Sequence, residues 1–326
     1  MKAAYFEAFG EARDVLKVGE VDTPKARMGE VVVRVAASGV NPSDVKLRAG
    51  KRPGAAMEYA RIIPHSDGAG VVEGVGRRVD EGLLGRRVWF WNAQWRRAMG
   101  SAADYVALSD EQIAPLPDRT SFEAGATLGI PAMTAWAATC ADGPLHDKTV
   151  LVTGGAGAVG RYAVQMAKLS GAKVIATVSS EAKAAAIPMA DDVINRKTEN
   201  VVRRVNDITY GGGVDRIVEV DFGGNLDDTV QLIREGGVIA AYASAGGLDP
   251  TIPFYSLMFR NVTLKMLLIY LLDAESRRRG VAQINRWLEA GALDCAVAET
   301  WPLDRVAEAH EAVETGDRIG TVVVTP

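Results

Sequence analysis

The segment Thr149 to Leu169 constrains this chain more than any other. Thr149-Val150-Leu151-Val152-Thr153 is an apolar β run that leads directly into Gly154-Gly155-Ala156-Gly157-Ala158-Val159-Gly160 and then into a helical pattern from Tyr162 to Leu169. Gly155, Gly157 and Gly160 form G-x-G-x-x-G between a strand and a helix, the setting in which this spacing binds a dinucleotide. The first glycine permits a tight turn, the second lets backbone approach a pyrophosphate, and the third lets helix pack closely on strand. The helix start offers unpaired N–H groups and a partial positive charge, so Gly154, Gly155, Ala156, Gly157, Ala158, Val159 and Gly160 are the candidate cofactor loop. An ordinary glycine-rich loop is the alternative, and the surrounding βαβ pattern argues against it.

The rest of the chain has two textures. Val31 to Ala37 and Gly70 to Val79 are short Val-rich runs closed by Gly, Pro or Asp, which predicts strands joined by turns. From Phe122 onward helical and strand-like stretches alternate: helix 122–141, strand 149–153, helix 158–169, strands 173–178, 192–195, 214–220 and 237–243. Alternation of this kind implies a parallel sheet wound on both faces by crossover helices, a Rossmann sheet. A strand at Val262 to Leu268, helices 274–290 and 303–315 and a strand 320–324 follow, and part of this tail is expected to return to the first domain. At 326 residues two domains are expected. The boundaries read as 1–121 for the first part of the β domain, 122–261 for the dinucleotide domain and 262–326 for an edge strand and the return.

The second strand of a dinucleotide domain ordinarily ends in Asp or Glu that accepts hydrogen bonds from the adenosine ribose. Here Lys173 to Val178 ends in Ser179-Ser180, with Lys183 one turn later and Arg196 after the third strand. Hydroxyls and cations suit a ribose phosphate, so the cofactor is expected to be NADPH, with Glu181 the one adverse charge. Tyr242 and Ser244 close a strand at its C-terminal end, where open α/β sheets bind ligands, and join the cofactor set.

Composition removes several classes of partner. Lys and Arg number 37 against 41 Asp and Glu, a net charge of −4 with no long basic stripe, so nucleic acid is not an expected partner. The apolar run Met266 to Leu272 is too short to span a bilayer, so no membrane is expected either. Two cysteines, Cys140 and Cys295, cannot form a four-thiolate zinc lobe and are compatible with a reducing, cytoplasmic location.

Beside the glycine loop stand Gly39-Val40-Asn41-Pro42-Ser43-Asp44, Pro64-His65-Ser66-Asp67-Gly68-Ala69-Gly70-Val71-Val72, the Gly129 to Ala135 segment, Gln165 and Ala309-His310. Together these resemble the zinc-independent quinone oxidoreductase branch of the medium-chain dehydrogenase/reductase superfamily, which includes zeta-crystallin, over nearly the whole chain. The resemblance implies a GroES-like, mainly β domain built from both chain ends, a Rossmann domain inserted between them, and an active site in the cleft. It also implies a homodimer or homotetramer joined through the Rossmann sheets, with Val262 to Leu268 the candidate edge strand. Zinc-dependent relatives carry Cys and His in the stretch corresponding to Val40 to Asp44, and His at the position of Ser66. None is present here, and a catalytic zinc needs such ligands, so no metal is expected.

The implied reaction is hydride delivery from NADPH to a small-molecule electron acceptor, a quinone or an α,β-unsaturated carbonyl. In the resembling family the residue corresponding to Asn41 lies beside nicotinamide and acceptor, which makes Asn41 the candidate carbonyl donor. Asp44, a catalytic candidate with Asn41, is expected to fix local backbone or cofactor geometry rather than to act as an acid, or, alternatively, to cap the following helix. Thr134 resembles the residue that meets the nicotinamide carboxamide, or else bonds backward within its helix. The family often carries Tyr near Leu47, a proton donor this chain lacks. Trp91 and Trp95 are candidates for an apolar wall against a planar acceptor, although aromatic clusters also fill cores. An alcohol dehydrogenase of the same superfamily and a catalytically idle, crystallin-like NADPH-binding protein are the competing readings.

Overall fold

The computed structural model describes residues 1–52 and 54–326. The chain divides into two compact units, one of residues 1–130, 285–291 and 295–326, the other of residues 131–284 and 292–294.

In the first unit β1 (Lys2–Tyr5) and β2 (Lys17–Glu20) form an antiparallel pair. The main sheet is organised around β3 (Glu30–Val40), which pairs antiparallel with β4 (Asp67–Val75) and β6 (Tyr105–Ser109); β5 (Arg87–Phe90) and β7 (Ile113–Pro115) continue it beyond β4. The register sets Gly39 opposite Asp67. Val31, Val33, Val35, Val72, Val88, Phe90 and Leu108 fill a core between these strands, as alternation on a half-buried sheet requires.

The second unit holds a six-stranded, all-parallel sheet. Its strands are β8 (Thr149–Val152), β9 (Lys173–Val178), β10 (Asp192–Asn195), β11 (Val214–Glu219), β12 (Ile233–Ala241) and β13 (Thr263–Met266), in the order β10-β9-β8-β11-β12-β13. The order reverses at β8, which puts the switch point of a doubly wound fold at the strand that feeds the glycine loop. The tail then returns to the first unit as β14 (Val297–Pro302) and β15 (Thr321–Thr325), and β15 lies between β14 and β3.

Three expectations change. The helix expected over 122–141 is three pieces: Phe122–Gly125, a π-turn Leu128–Ala132 containing Pro131, and Met133–Thr139. Pro131 has no N–H for a continuous ladder. The change of unit falls at Ile130 and Pro131, later than the change of texture, because residues 122–130 pack on the β sheet. A Cβ on Gly39 would lie 2.2 Å from the Ala126 carbonyl oxygen, and one on Gly125 would lie 2.8 Å from Ala69 Cβ. The strand expected over 237–243 starts at Ile233 and ends at Ala241.

Candidate functional site

In the second unit the glycine loop is shaped by contacts with both neighbouring strands. Gly154 takes φ +64°, a left-handed conformation that favours glycine, and so carries the turn assigned above to Gly155. Its N–H donates to Thr177 Oγ1 at 3.1 Å, and the Gly155 N–H donates to the Thr177 carbonyl at 2.8 Å. A Cβ on Gly155 would meet Ala176 Cβ at 2.9 Å, and one on Gly160 would meet the Gly154 oxygen at 2.2 Å. These two glycines therefore set how closely strand, loop and helix approach. Gly157 differs: it is exposed, its nearest neighbour would be 3.4 Å from an added Cβ, and it caps the helix Ala158–Leu169. The first-turn N–H groups of Ala158, Val159 and Gly160 have no acceptor within the helix, so an open, donor-rich surface lies at Gly157, as a pyrophosphate needs.

The cations and hydroxyls expected at the end of β9 are gathered there. Lys183 Nζ donates to Ser179 Oγ at 3.4 Å, Ser180 caps the Glu181–Ala185 helix through the Lys183 N–H, and the Arg196 N–H donates to the Val178 carbonyl. Ser179, Ser180, Lys183 and Arg196 thus share one corner of the sheet, with Arg196 and Glu181 exposed. Thr134 is buried in Met133–Thr139. Tyr242 and Ser244 line a cavity of about 490 Å³ with Phe222, Leu248, Met266 and Leu268. Ser244 Oγ accepts from the Gly223 N–H and donates to the Gly247 carbonyl, holding that rim.

Glu219, absent from the sequence reading, ends β11 in full burial. Its Oε1 accepts from Thr153 Oγ1, the Asp221 N–H and Asn225 Nδ2 at 2.6 to 2.9 Å, while Oε2 has no partner. Burial raises its pKa against those hydrogen bonds. Burial, with the charge of Glu219, also pushes Tyr242 above the ordinary phenol range, so Tyr242 is a neutral phenol.

In the first unit Asn41 precedes the helix Pro42–Arg48 and is buried. Its backbone N–H donates to Asp44 Oδ2 at 2.8 Å, and its side-chain Nδ2 donates to Asp67 Oδ2 at 2.8 Å. Asp67 Oδ2 also accepts the Ile130 N–H at 2.8 Å. Because a carboxylate only accepts, this contact fixes which end of the Asn41 amide faces Asp67 and leaves the second Nδ2 hydrogen for another acceptor. Asp44 stands at the third helical position and closes a capping box on Asn41, the N-cap, and desolvation pushes its pKa up to about 7, the hydrogen bonds from Asn41 opposing.

A buried polar chain ends on the same residue. His310 Nε2 and His65 Nε2 lie 2.9 Å apart, His65 Nδ1 is 2.9 Å from Ser38 Oγ, Ser38 Oγ is 2.8 Å from Ser101 Oγ, and Ser101 Oγ donates to the Asp67 carbonyl at 2.6 Å. Only one assignment satisfies every link: His310 donates to His65, His65 to Ser38, Ser38 to Ser101 and Ser101 to Asp67. It leaves His310 Nδ1 a bare acceptor, in accord with its lack of a partner. Burial pushes the His65 pKa down to about 3 and that of His310 well below its usual value. Both nitrogens of His65 are engaged in this chain.

The two candidate wall residues part company. Trp91 is buried against Trp89, ring centroids 5.2 Å apart, while Trp95 lines a second cavity. Asp67 escaped sequence reading because its partners lie far away in the chain, and Glu219 because one of its partners, Thr153, does; a carboxylate at the end of a predicted apolar strand was the one available signal for Glu219.

A parallel sheet with a glycine loop at its switch point, beside a unit of antiparallel strands, defines the class of nucleotide-binding dehydrogenases and reductases. Comparison with known proteins narrows it. Residues 158–285 match the zinc-binding dehydrogenase family, and residues 27–118 match the alcohol dehydrogenase GroES-like domain. Human quinone oxidoreductase is 28% identical over 325 residues, covering 97% of this chain and 94% of the human protein. A mycobacterial structure complexed with NADPH superposes with a TM-score of 0.87 at 26% identity, with full coverage of both chains. A 2-haloacrylate reductase structure does so with 0.85 at 27%, covering 100% of this chain and 99% of that one. The chain belongs to the medium-chain dehydrogenase/reductase superfamily, in its quinone oxidoreductase branch.

Proposed function

We propose that this protein is an NADPH-dependent reductase that delivers hydride, without zinc, to a quinone or an α,β-unsaturated carbonyl. The observation that carries the cofactor choice is the corner at the end of β9, where Lys183 meets Ser179 beside Ser180 and Arg196 and no carboxylate closes the strand. The glycine loop fits the pyrophosphate, since Gly157 leaves room and the first-turn N–H groups face no internal acceptor. Thr134, Tyr242 and Ser244 are assigned to the nicotinamide end. Relatives that act on quinones and 2-haloacrylates support the acceptor class.

Bound NADPH would supply the hydride and solvent the proton that completes the reduced acceptor, and the chain's residues bind and orient the partners. Asn41 gives its second amide hydrogen to the acceptor carbonyl oxygen, where negative charge develops; a donor already oriented by Asp67 needs no rearrangement at that moment. Asn41 does not titrate, so it stabilises charge without transferring a proton. Asp44 holds the Asn41 backbone. The stretch Val40 to Asp44 offers no thiolate or imidazole and His65 is engaged at both nitrogens, so the donor set for a catalytic zinc is missing.

We assign the functional unit to a homodimer. β13 pairs on one side only, with β12, and beside it Phe254, Tyr255, Met258, Phe259, Met266 and Leu268 are exposed. A second copy adding its own β13 would pair the open edge and cover these side chains. Among the described residues no helix is long and apolar enough to cross a membrane, and neither cysteine is in a disulfide, which fits a reducing compartment such as the cytoplasm.

The deciding experiment follows NADPH absorbance with a panel of quinones and enones. Turnover with at least one of them is expected. Tight NADPH binding without oxidation by any acceptor would overturn the reductase reading and leave a binding protein, and stoichiometric zinc in active protein would favour an alcohol dehydrogenase.

A further inference from the structure

We propose that the cavity lined by Leu47, Arg52, Tyr59, Trp95 and Arg96 is an anion-selecting subsite that receives the carboxylate or sulfonate end of a planar acceptor. The inference rests on the reductase reading and adds the acceptor's charge to it. The cavity is about 180 Å³, smaller than the roughly 300 Å³ at which complete ligand sites begin. It therefore takes one end of a molecule.

Its walls combine one indole with two cations. The guanidinium carbons of Arg52 and Arg96 lie 4.7 and 5.2 Å from the Trp95 ring centroid, so the two charges are at most about a Debye length apart and repel through partial screening. Glu58 also lines the cavity and offsets part of that charge. Arg96 is exposed and makes no ion pair among the described residues. An anionic group held by the two guanidinium groups that cover Trp95 would relieve the remaining excess, the guanidinium fork being suited to carboxylate or sulfonate oxygens.

The turn that presents these groups is held in an unfavourable backbone. Asn92 and Arg96 take φ +57° and +56°, left-handed values costly for side-chain-bearing residues and concentrated at functional sites. The turn is pinned from outside, Tyr59 OH donating to the Arg96 carbonyl at 2.8 Å and Gln112 Nε2 to the Asn92 carbonyl at 3.3 Å, and from within by Gln94 Nε2 donating to the Arg97 carbonyl at 3.0 Å. One lining residue shares a helix with the proposed carbonyl donor. Leu47 lies on the helix that Asn41 opens, roughly 9 Å along its axis at 1.5 Å per residue, and the Arg52 charge acts on Asp44 of the same helix.

The test compares 1,2-naphthoquinone-4-sulfonate with 1,2-naphthoquinone as acceptors, and naphthalene-2-sulfonate with 2-naphthol as non-reducible ligands in calorimetry. The wild type is expected to favour the sulfonate of each pair at least fivefold. In R52Q/R96Q the ratio of kcat/KM for the two quinones, and the ratio of the two dissociation constants, should fall to near one, while R96K should retain most of the preference. Equal handling of charged and neutral probes by the wild type, or ratios unmoved by R52Q/R96Q, would overturn the subsite. If neither naphthoquinone is reduced, the calorimetric pair still decides the subsite, while the reductase reading stands or falls on the full panel of quinones and enones.

Discussion

The side-chain amide of Asn41 gives a hydrogen to Asp67 Oδ2 at 2.8 Å, across the register that sets Gly39 opposite Asp67. Asp67 therefore aims the group proposed to meet the acceptor. D67N removes the acceptor-only partner and permits the Asn41 amide to turn. Loss of a hydrogen bond to a charged group, about 1.5–3 kcal/mol, predicts a 10- to 100-fold fall in kcat with little change in the dissociation constant for NADPH. An unchanged kcat would show that Asn41 needs no orientation.

The Lys183–Ser179 contact makes a second prediction. K183Q should weaken NADPH by about 1–3 kcal/mol and NADH far less, because only the former offers a phosphate for a charge-assisted bond. Calorimetry with both cofactors measures this, and equal weakening would assign Lys183 another role.

Asp44 and the His65–His310 pair should act on stability in opposite directions with pH. Asp44 has a folded pKa of about 7 against 3.8 in the unfolded chain. The folded state thus holds the extra proton, and this group's contribution declines as pH rises from about 4 to about 7. At about 1.4 kcal/mol per unit, D44N should abolish a decline of up to about 4 kcal/mol. Urea unfolding across that range reads it; parallel curves for wild type and D44N would contradict the buried, protonatable carboxyl.

For the histidines the sign is reversed. Their folded pKa values lie below 6.5, so the unfolded chain gains protons first and stability falls as pH drops below about 6.5. H65Q/H310Q should flatten that acid limb. If the limb is as steep without the two imidazoles, other groups cause it.

The open edge gives a prediction about assembly. Phe259 is 78% exposed beside β13, and F259D should shift the protein from dimer to monomer in analytical ultracentrifugation. A wild-type monomer at micromolar concentration would remove the assignment.

Much of the fold was legible because periodicity reports burial. The helix Ala158–Leu169 and the strands Lys173–Val178 and Asp192–Asn195 fall where their patterns put them, each a local run whose apolar spacing admits one structure. The 122–141 helix was misjudged although Pro131 was visible, since apolar residues on both sides outweighed it. Of the candidate site, the glycine loop and the Ser179–Lys183 corner were legible from neighbours in sequence. The Asn41–Asp67 contact was not, because it depends on strand register, and Trp91 and Trp95 look alike until the turn at Asn92 separates them.

The position of β15 has a consequence for biosynthesis. This strand, Thr321–Thr325, lies between β14 and β3, so the first unit cannot close until roughly 190 further residues have left the ribosome, some 10–40 s at ordinary elongation rates. The parallel sheet can be complete before then. During that interval the Ser38–Val40 edge of β3 is unpaired, and chaperone dependence should concentrate on the half of the molecule that is made first and finished last.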